Sequence, residues 1–204
     1  TLIASAVVKA RVLSGGTWSA LNEAAFTVGR LGLPLVFTEI LYNPVGGDAY
    51  EFLELQNTGP TPLDAGGFSF QGINYVFPDG TVLASGAVVV LANGASPSAF
   101  AVRYPGVVVS GWFGGNLSNG GERLALLDRS GQTVTAVHYD DADGWPLAAD
   151  GGGYSLEILE PRGDPNAPAN WRASAAVNGT PGLPPAAPPL LGDVVLHEVM
   201  ADNV

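Results

Sequence analysis

Apolar and polar residues alternate with a period of two in many short runs along this chain, which is the signature of half-buried β-strands. The runs fall at 35–42, 50–57, 68–70, 73–77, 81–83, 86–92, 123–129, 132–139 and 154–159, with turn residues between them. In Glu51–Asn57, Leu53 and Leu55 share one face, while Phe52, Glu54 and Gln56 share the other. The leucines are expected to point into a core. In the first run Val36 and Ile40 share one face, and Phe37, Glu39 and Leu41 the other. If these two strands pair, Glu39 and Glu54 lie together on an outward face. Asp128-Arg129-Ser130-Gly131 reads as a hairpin turn, and Asp79-Gly80 as another tight turn. One short helix is predicted over Ser96–Tyr104, with Pro97 at its first helical position and Pro105 stopping it. Many short strands with one minor helix predict an all-β sandwich.

The flanks read differently. Residues 1–30 carry two strand-like runs, Ala6–Leu13 and Ala24–Gly29, around the turn Ser14-Gly15-Gly16. Two strands cannot close a core in water. Residues 181–192 are an extended, polyproline-type linker. Beyond it, 193–204 begins another strand. Val195-Leu-His-Glu-Val-Met-Ala-Asp202 echoes Val36-Phe-Thr-Glu-Ile-Leu-Tyr-Asn43, with Glu198 matching Glu39. The expectation is a piece of a tandem array, in which the last dozen residues open the next similar domain.

Composition sharpens this picture. The 204 residues include 28 Gly and 16 Pro, which disfavours long helices. An apolar share of 47% is ample for a core and excludes global disorder. With no Cys, disulfides, thiolate metal sites and Cys nucleophiles are excluded. One Lys and seven scattered Arg face 19 acidic residues, for a net charge of −11. A phosphate-tracking surface needs clustered cations, so neither nucleic acid nor an anionic membrane surface is an expected partner. A divalent cation is the better charged ligand. No run of 18 apolar residues predicts membrane insertion.

Candidate chemistry is sparse. His138 and His197 are the only histidines, and neither stands beside a nucleophile motif. Glu39, Glu51 and Glu54 supply a carboxylate pair for acid–base work, set against the reading of outward carboxylates that keep a strand soluble. Asp140, Asp141 and Asp143, before Gly144, are the candidate metal ligands, because calcium takes six to eight oxygens. Asp150 could fold back as another. The spacing lacks the bidentate Glu of a helix–loop–helix calcium loop, so a solvated acidic loop is the competing reading. Trp112, Trp145 and Trp171 are candidates for sugar stacking, although Trp in a sandwich this size is more often core. No catalytic residue and no cofactor are expected, apart from calcium.

An ordered set of stretches resembles the lamin tail domain of the bacterial, secreted type. It runs Phe37-Thr-Glu-Ile-Leu-Tyr-Asn-Pro44, Tyr50-Glu-Phe-Leu-Glu-Leu-Gln-Asn57, Leu63-Asp-Ala-Gly-Gly-Phe-Ser-Phe70, Tyr75-Val-Phe-Pro-Asp-Gly-Thr81, Ala87-Val-Val-Val-Leu-Ala92, Leu117-Ser-Asn-Gly-Gly-Glu-Arg-Leu-Ala-Leu126, Trp145-Pro146, Gly153-Tyr-Ser-Leu-Glu157 and Asn170-Trp171. The resemblance implies an immunoglobulin-like β-sandwich over 34–182 and no enzyme activity. Val7–Arg11 and Gly16–Val28 resemble the end of a fibronectin-like domain found C-terminal to chitobiase-type enzymes. The domain limits expected are therefore 1–30 for that fragment, 34–182 for the lamin tail domain, 183–192 for the linker and 193–204 for the first strand of a following similar domain. The expected setting is extracellular or at a cell surface. The expected role is a spacer or adhesive scaffold touching other domains of its own chain, protein or polysaccharide. The alternative is a calcium- or polysaccharide-binding module that targets a partner enzyme. Nuclear lamin tails are linked to chromatin, but the basic residues such a role requires are missing here.

Overall fold

The computed structural model describes residues 6–26 and 33–183. Expectations that fall on 184–204, namely most of the Pro-rich linker, His197 and the Glu198 echo, lie outside the described residues, as do 1–5 and 27–32. In the first segment β1 (Ala6–Ala10) pairs antiparallel with β4 (Asn22–Phe26), and β2 (Leu13–Ser14) with β3 (Thr17–Trp18). The Gly15-Gly16 turn closes the inner hairpin, with both φ angles positive.

Residues 33–183 form β5 (Leu35–Leu41), β6 (Phe52–Asn57), β7 (Leu63–Asp64), β8 (Ser69–Gln71), β9 (Val82–Leu83), β10 (Val88–Asn93), α1 (Pro97–Arg103), β11 (Val109–Phe113), β12 (Glu122–Leu127), β13 (Thr133–Tyr139), β14 (Leu156–Ile158) and β15 (Trp171–Ala173). One sheet has six strands in the order β11-β10-β6-β5-β14-β15. A three-stranded sheet, β13-β12-β8, faces it across the core, and β7-β9 forms a small ribbon. Leu35, Phe37, Ile40, Leu53, Leu55 and Leu91 from the large sheet pack into one buried cluster with Leu124, Leu126, Val137 and Tyr139 from the small one. This is the all-β sandwich the alternation predicts.

The helix begins where expected. The Ser96 hydroxyl caps it by accepting the Ala99 N–H, and Pro97 follows. The Asp128–Gly131 turn closes β12 to β13, with Asp128 Oδ1 accepting the Ser130 and Gln132 amides. Three expectations need correction. The run 73–77 forms isolated bridges, Val76 to Ser69 and Asn74 to Gly114, rather than a strand. The strand β11, which pairs parallel to β10, and the edge strand β15 carry too little alternation to be read from sequence. The parity assigned to β5 is also wrong. A bulge at Thr38 shifts the register between Phe37, opposite Leu55, and Glu39, opposite Glu54. The extra residue puts Leu35, Phe37 and Ile40 on the core face together, and leaves Glu39 and Leu41 on the other.

Candidate functional site

The bulge places Glu39 beside Glu54 on the face of the large sheet that points away from the sandwich core. The sequence predicts solvent there, and the structure buries it. α1 covers one part of this face, where Leu41, Phe52, Val90 and Ala92 pack under Phe100 and Tyr104. Residues 178–183 cover another part. Glu39 is 2% exposed and Glu54 0%, so these are not solubilising carboxylates. Glu157 of β14, paired in register with Glu39, is buried beside them.

The three carboxyls are held by a dense set of donors. Glu39 Oε1 accepts from the Ser155 hydroxyl and from the Thr180 N–H at 2.8 Å. Glu54 Oε1 accepts from the Thr38 hydroxyl at 2.7 Å, and its Oε2 from the Gly182 N–H at 2.8 Å. Glu157 Oε2 accepts from Arg172 Nη2 at 2.9 Å and Nε at 3.1 Å. The Thr180 hydroxyl lies 3.2 Å from both Glu39 Oε2 and Glu157 Oε1. Burial, and then the neighbouring acids, push Glu39 and Glu54 up from 4.5 to about 7, against the pull of these hydrogen bonds. The segment that supplies Thr180 and Gly182 turns back over the sheet through Asn178 and Gly179, both with left-handed φ. A Cβ on Gly179 would meet Glu39 Oε1, Phe52 Cζ and Ser155 Oγ at under 3 Å, so only glycine fits the approach.

Glu51 is also buried, apart from that group. Its Oε2 accepts from Asn93 Nδ2 and the Leu117 N–H, both at 3.0 Å, and burial raises it to about 7. Its Oε1 and the Tyr42 hydroxyl are buried without a hydrogen-bond partner in the protein. Sequence reasoning singled out Glu39, Glu51 and Glu54 but placed them outside. It assigned no role to Thr38, Ser155, Glu157, Arg172 or Thr180, although Thr38, Ser155 and Glu157 lie in stretches that carry the family resemblance.

The remaining candidates do not converge. Asp140 Oδ1 is occupied by the Ala142 N–H, Asp143 takes a left-handed φ at the turn, and Asp150 accepts from Asn43 Nδ2. Among the described residues no group of three His, Asp or Glu side chains is placed to hold a metal ion. Millimolar calcium should therefore leave the melting temperature unchanged. A rise that Asp141→Asn abolishes would instead assign the loop an ion. His138 is exposed, and its backbone N–H donates to Asn166 Oδ1. Trp145 and Trp171 are buried against each other, with ring centroids 5.9 Å apart, and the Trp171 indole N–H donates to the Pro165 carbonyl. Trp112, 39% exposed, packs edge-on against Phe100 and offers no coplanar pair for a sugar.

No curated protein and no solved structure matches the chain significantly. A family model described as Lamin Tail Domain matches residues 32–141, from just before β5 to the end of β13. The large sheet is completed beyond that stretch by β14 and β15. The ordered motifs, the immunoglobulin-like sandwich and this match agree: the chain belongs to the lamin tail domain family.

Proposed function

We propose that this chain acts as a spacer or adhesive scaffold within a large, extracellular multidomain bacterial protein. The family supplies the coarser part of that reading, an immunoglobulin-like structural and interaction module. The observation that supports a non-catalytic role is the use made of the acids. The buried glutamates with raised pKa are the strongest acid–base candidates among the described residues, and a catalytic pair must reach a substrate. Here Glu39 and Glu54 are sealed beneath residues 178–183, and their donors are backbone N–H groups and hydroxyls of the fold itself. The chemistry is spent on holding the chain in place.

An array setting fits the Pro-rich segment after Gly182 and the Glu39-like echo at Glu198. In it, 34–182 is the lamin tail domain, 1–30 the end of a preceding fibronectin-like domain, 183–192 a spacer and 193–204 the start of a similar domain. Partners are then neighbouring domains and cell-surface protein or polysaccharide. The low cationic content argues against nucleic acid.

Chromogenic glycoside, ester and phosphate substrates should show no turnover above buffer with the 204-residue chain. A fluorescent DNA duplex at about 50 mM salt, where phosphate contacts are strong, should show no saturable change in anisotropy. Turnover that disappears in Glu39→Gln, or saturable micromolar DNA binding, would overturn the proposal.

A further inference from the structure

The Thr180 hydroxyl carries one proton and sits 3.2 Å from two carboxyl oxygens, Glu39 Oε2 and Glu157 Oε1. It can donate to only one of them. With both carboxyls ionised, the other contact sets lone pair against lone pair at a buried carboxyl. A proton on Glu39 completes the set: Glu39 donates to Thr180 Oγ1, and Thr180 donates to Glu157. Glu157 is the member with a cationic partner, because Arg172 contacts it through two nitrogens. On its other side, Glu39 Oε1 is already filled by Ser155 and the Thr180 amide, so the proton belongs on Oε2.

We propose that Glu39, Thr180 and Glu157 form a proton-dependent clasp on residues 178–183, closed when Glu39 is protonated and opened when it ionises. Glu54 is the second anchor, through the Gly182 amide. Tyr104, at the end of α1, is the third, donating its hydroxyl to the Asn178 carbonyl at 2.9 Å. The titratable and charged groups facing Glu39 are accounted for from every side. Glu54 comes from β6, Glu157 from β14 with Arg172 of β15 behind it, and Tyr104 from α1. Among the described residues, Arg172 is engaged by Glu157, and Arg103 stands beside Tyr104 rather than against Glu39. Ionising Glu39 therefore adds a charge that no partner balances, and the cheapest relief is to admit water by lifting 178–183.

The balance lies in a useful range, since Glu39 titrates at about 7 in place and near 4.5 in water. Opening uncovers Glu54 and the Phe52 ring, and separates Pro181, Gly182 and Leu183 from Val90 and Val107, with which they line a shallow apolar groove. The segment that follows β15 would then gain reach, a change of length and stiffness governed by pH.

Native-state hydrogen exchange on the 204-residue chain tests this, read at the Thr180 and Gly182 amides after correction for the intrinsic pH dependence. Linkage for one such carboxyl predicts that their opening constant rises roughly thirtyfold between about pH 5.5 and about pH 8.5. Both amides should exchange faster than those of β12 throughout, as local opening requires. Glu39→Gln keeps the closed pattern, because its amide nitrogen donates to Thr180 Oγ1 as the acid does, and it should remove the Glu39 share of the pH response, leaving only what the exposure of Glu54 contributes. Glu122→Gln, at an acid outside the clasp, should leave the response intact. Thr180 protection that does not change with pH would overturn the clasp. So would exchange matching β12 at every pH, or a pH response as large in Glu39→Gln as in the wild type. If that variant does not fold, the wild-type profile at Thr180 against β12 decides alone.

Discussion

Raising the pH from about 5 to about 8 should lower the melting temperature of this protein, by roughly 5–10 °C for each group that behaves as Glu39 does. Glu39, Glu51 and Glu54 all titrate at about 7 in the fold, against 4.5 in the unfolded chain. Between those values the folded state holds more protons than the unfolded one. Their stabilisation is therefore complete below 4.5, is lost as pH rises through 7, and changes little above it. One carboxyl shifted this far corresponds to about 3 kcal/mol. The excess of acids works in the same direction, because repulsion in a chain of net charge −11 eases as carboxylates protonate. Glu54→Gln should raise the melting temperature at about pH 8 and flatten the profile. Its amide oxygen can accept the Gly182 N–H, and its amide nitrogen can donate to the Thr38 hydroxyl, which reproduces the protonated acid. Calorimetry across this range is the measurement. A melting temperature that climbs steadily to pH 8 would contradict the burial of these acids.

The part of the fold legible in the sequence is the part governed by period two. Leu53 and Leu55 lie in the core as their alternation demands, and the Ser96–Pro97 cap and the Asp128–Gly131 turn follow from local side-chain chemistry that needs no partner. What failed depends on contacts far apart in sequence. A bulge adds one residue without changing composition, so nothing in Val36–Leu41 announces that Phe37 turns inward and Ile40 joins it. Alternation also assigns a polar strand face to solvent by default. It cannot foresee that α1 and a segment some 125 residues downstream of Glu54 fold over that face. The candidate acids were thus visible as residues and misplaced as an environment. Their donors, Thr38, Ser155 and Thr180, are common residue types with no spacing that marks them. The acidic loop at Asp140–Asp143 shows the converse. Its spacing suggests a cation, while in the fold Asp140 Oδ1 accepts the Ala142 N–H and no third acid converges on the loop among the described residues.

Phe52→Ala should cost 3–5 kcal/mol by the usual range of about that size for a buried aromatic ring reduced to a methyl group. Phe52 stands on the covered outer face of β6 and is fully buried. Its ring meets Phe100 edge-on at 6.4 Å and Tyr104 at 5.8 Å, so it is the surface on which α1 sits. The backbone of Gly179 passes so close that a Cβ there would come within 2.9 Å of Phe52 Cζ. One ring therefore supports both covers of the face, and Tyr104 ties them together through the Asn178 carbonyl. Its removal leaves a cavity that the rigid sheet cannot close, and it opens a path for water to Glu39 and Glu54. Val102→Ala, on the same helix but 83% exposed, should change stability by less than about 0.5 kcal/mol. Urea denaturation of the two variants at about pH 6 separates these outcomes, with an unchanged slope showing that the midpoint reports stability. A Phe52→Ala midpoint close to wild type would mean that α1 and residues 178–183 rest on this face without depending on it. The same experiment reads the coupling directly, because Phe52→Ala should also bring Glu39 and Glu54 back toward the solvent value and so shrink the fall in stability between pH 5 and pH 8.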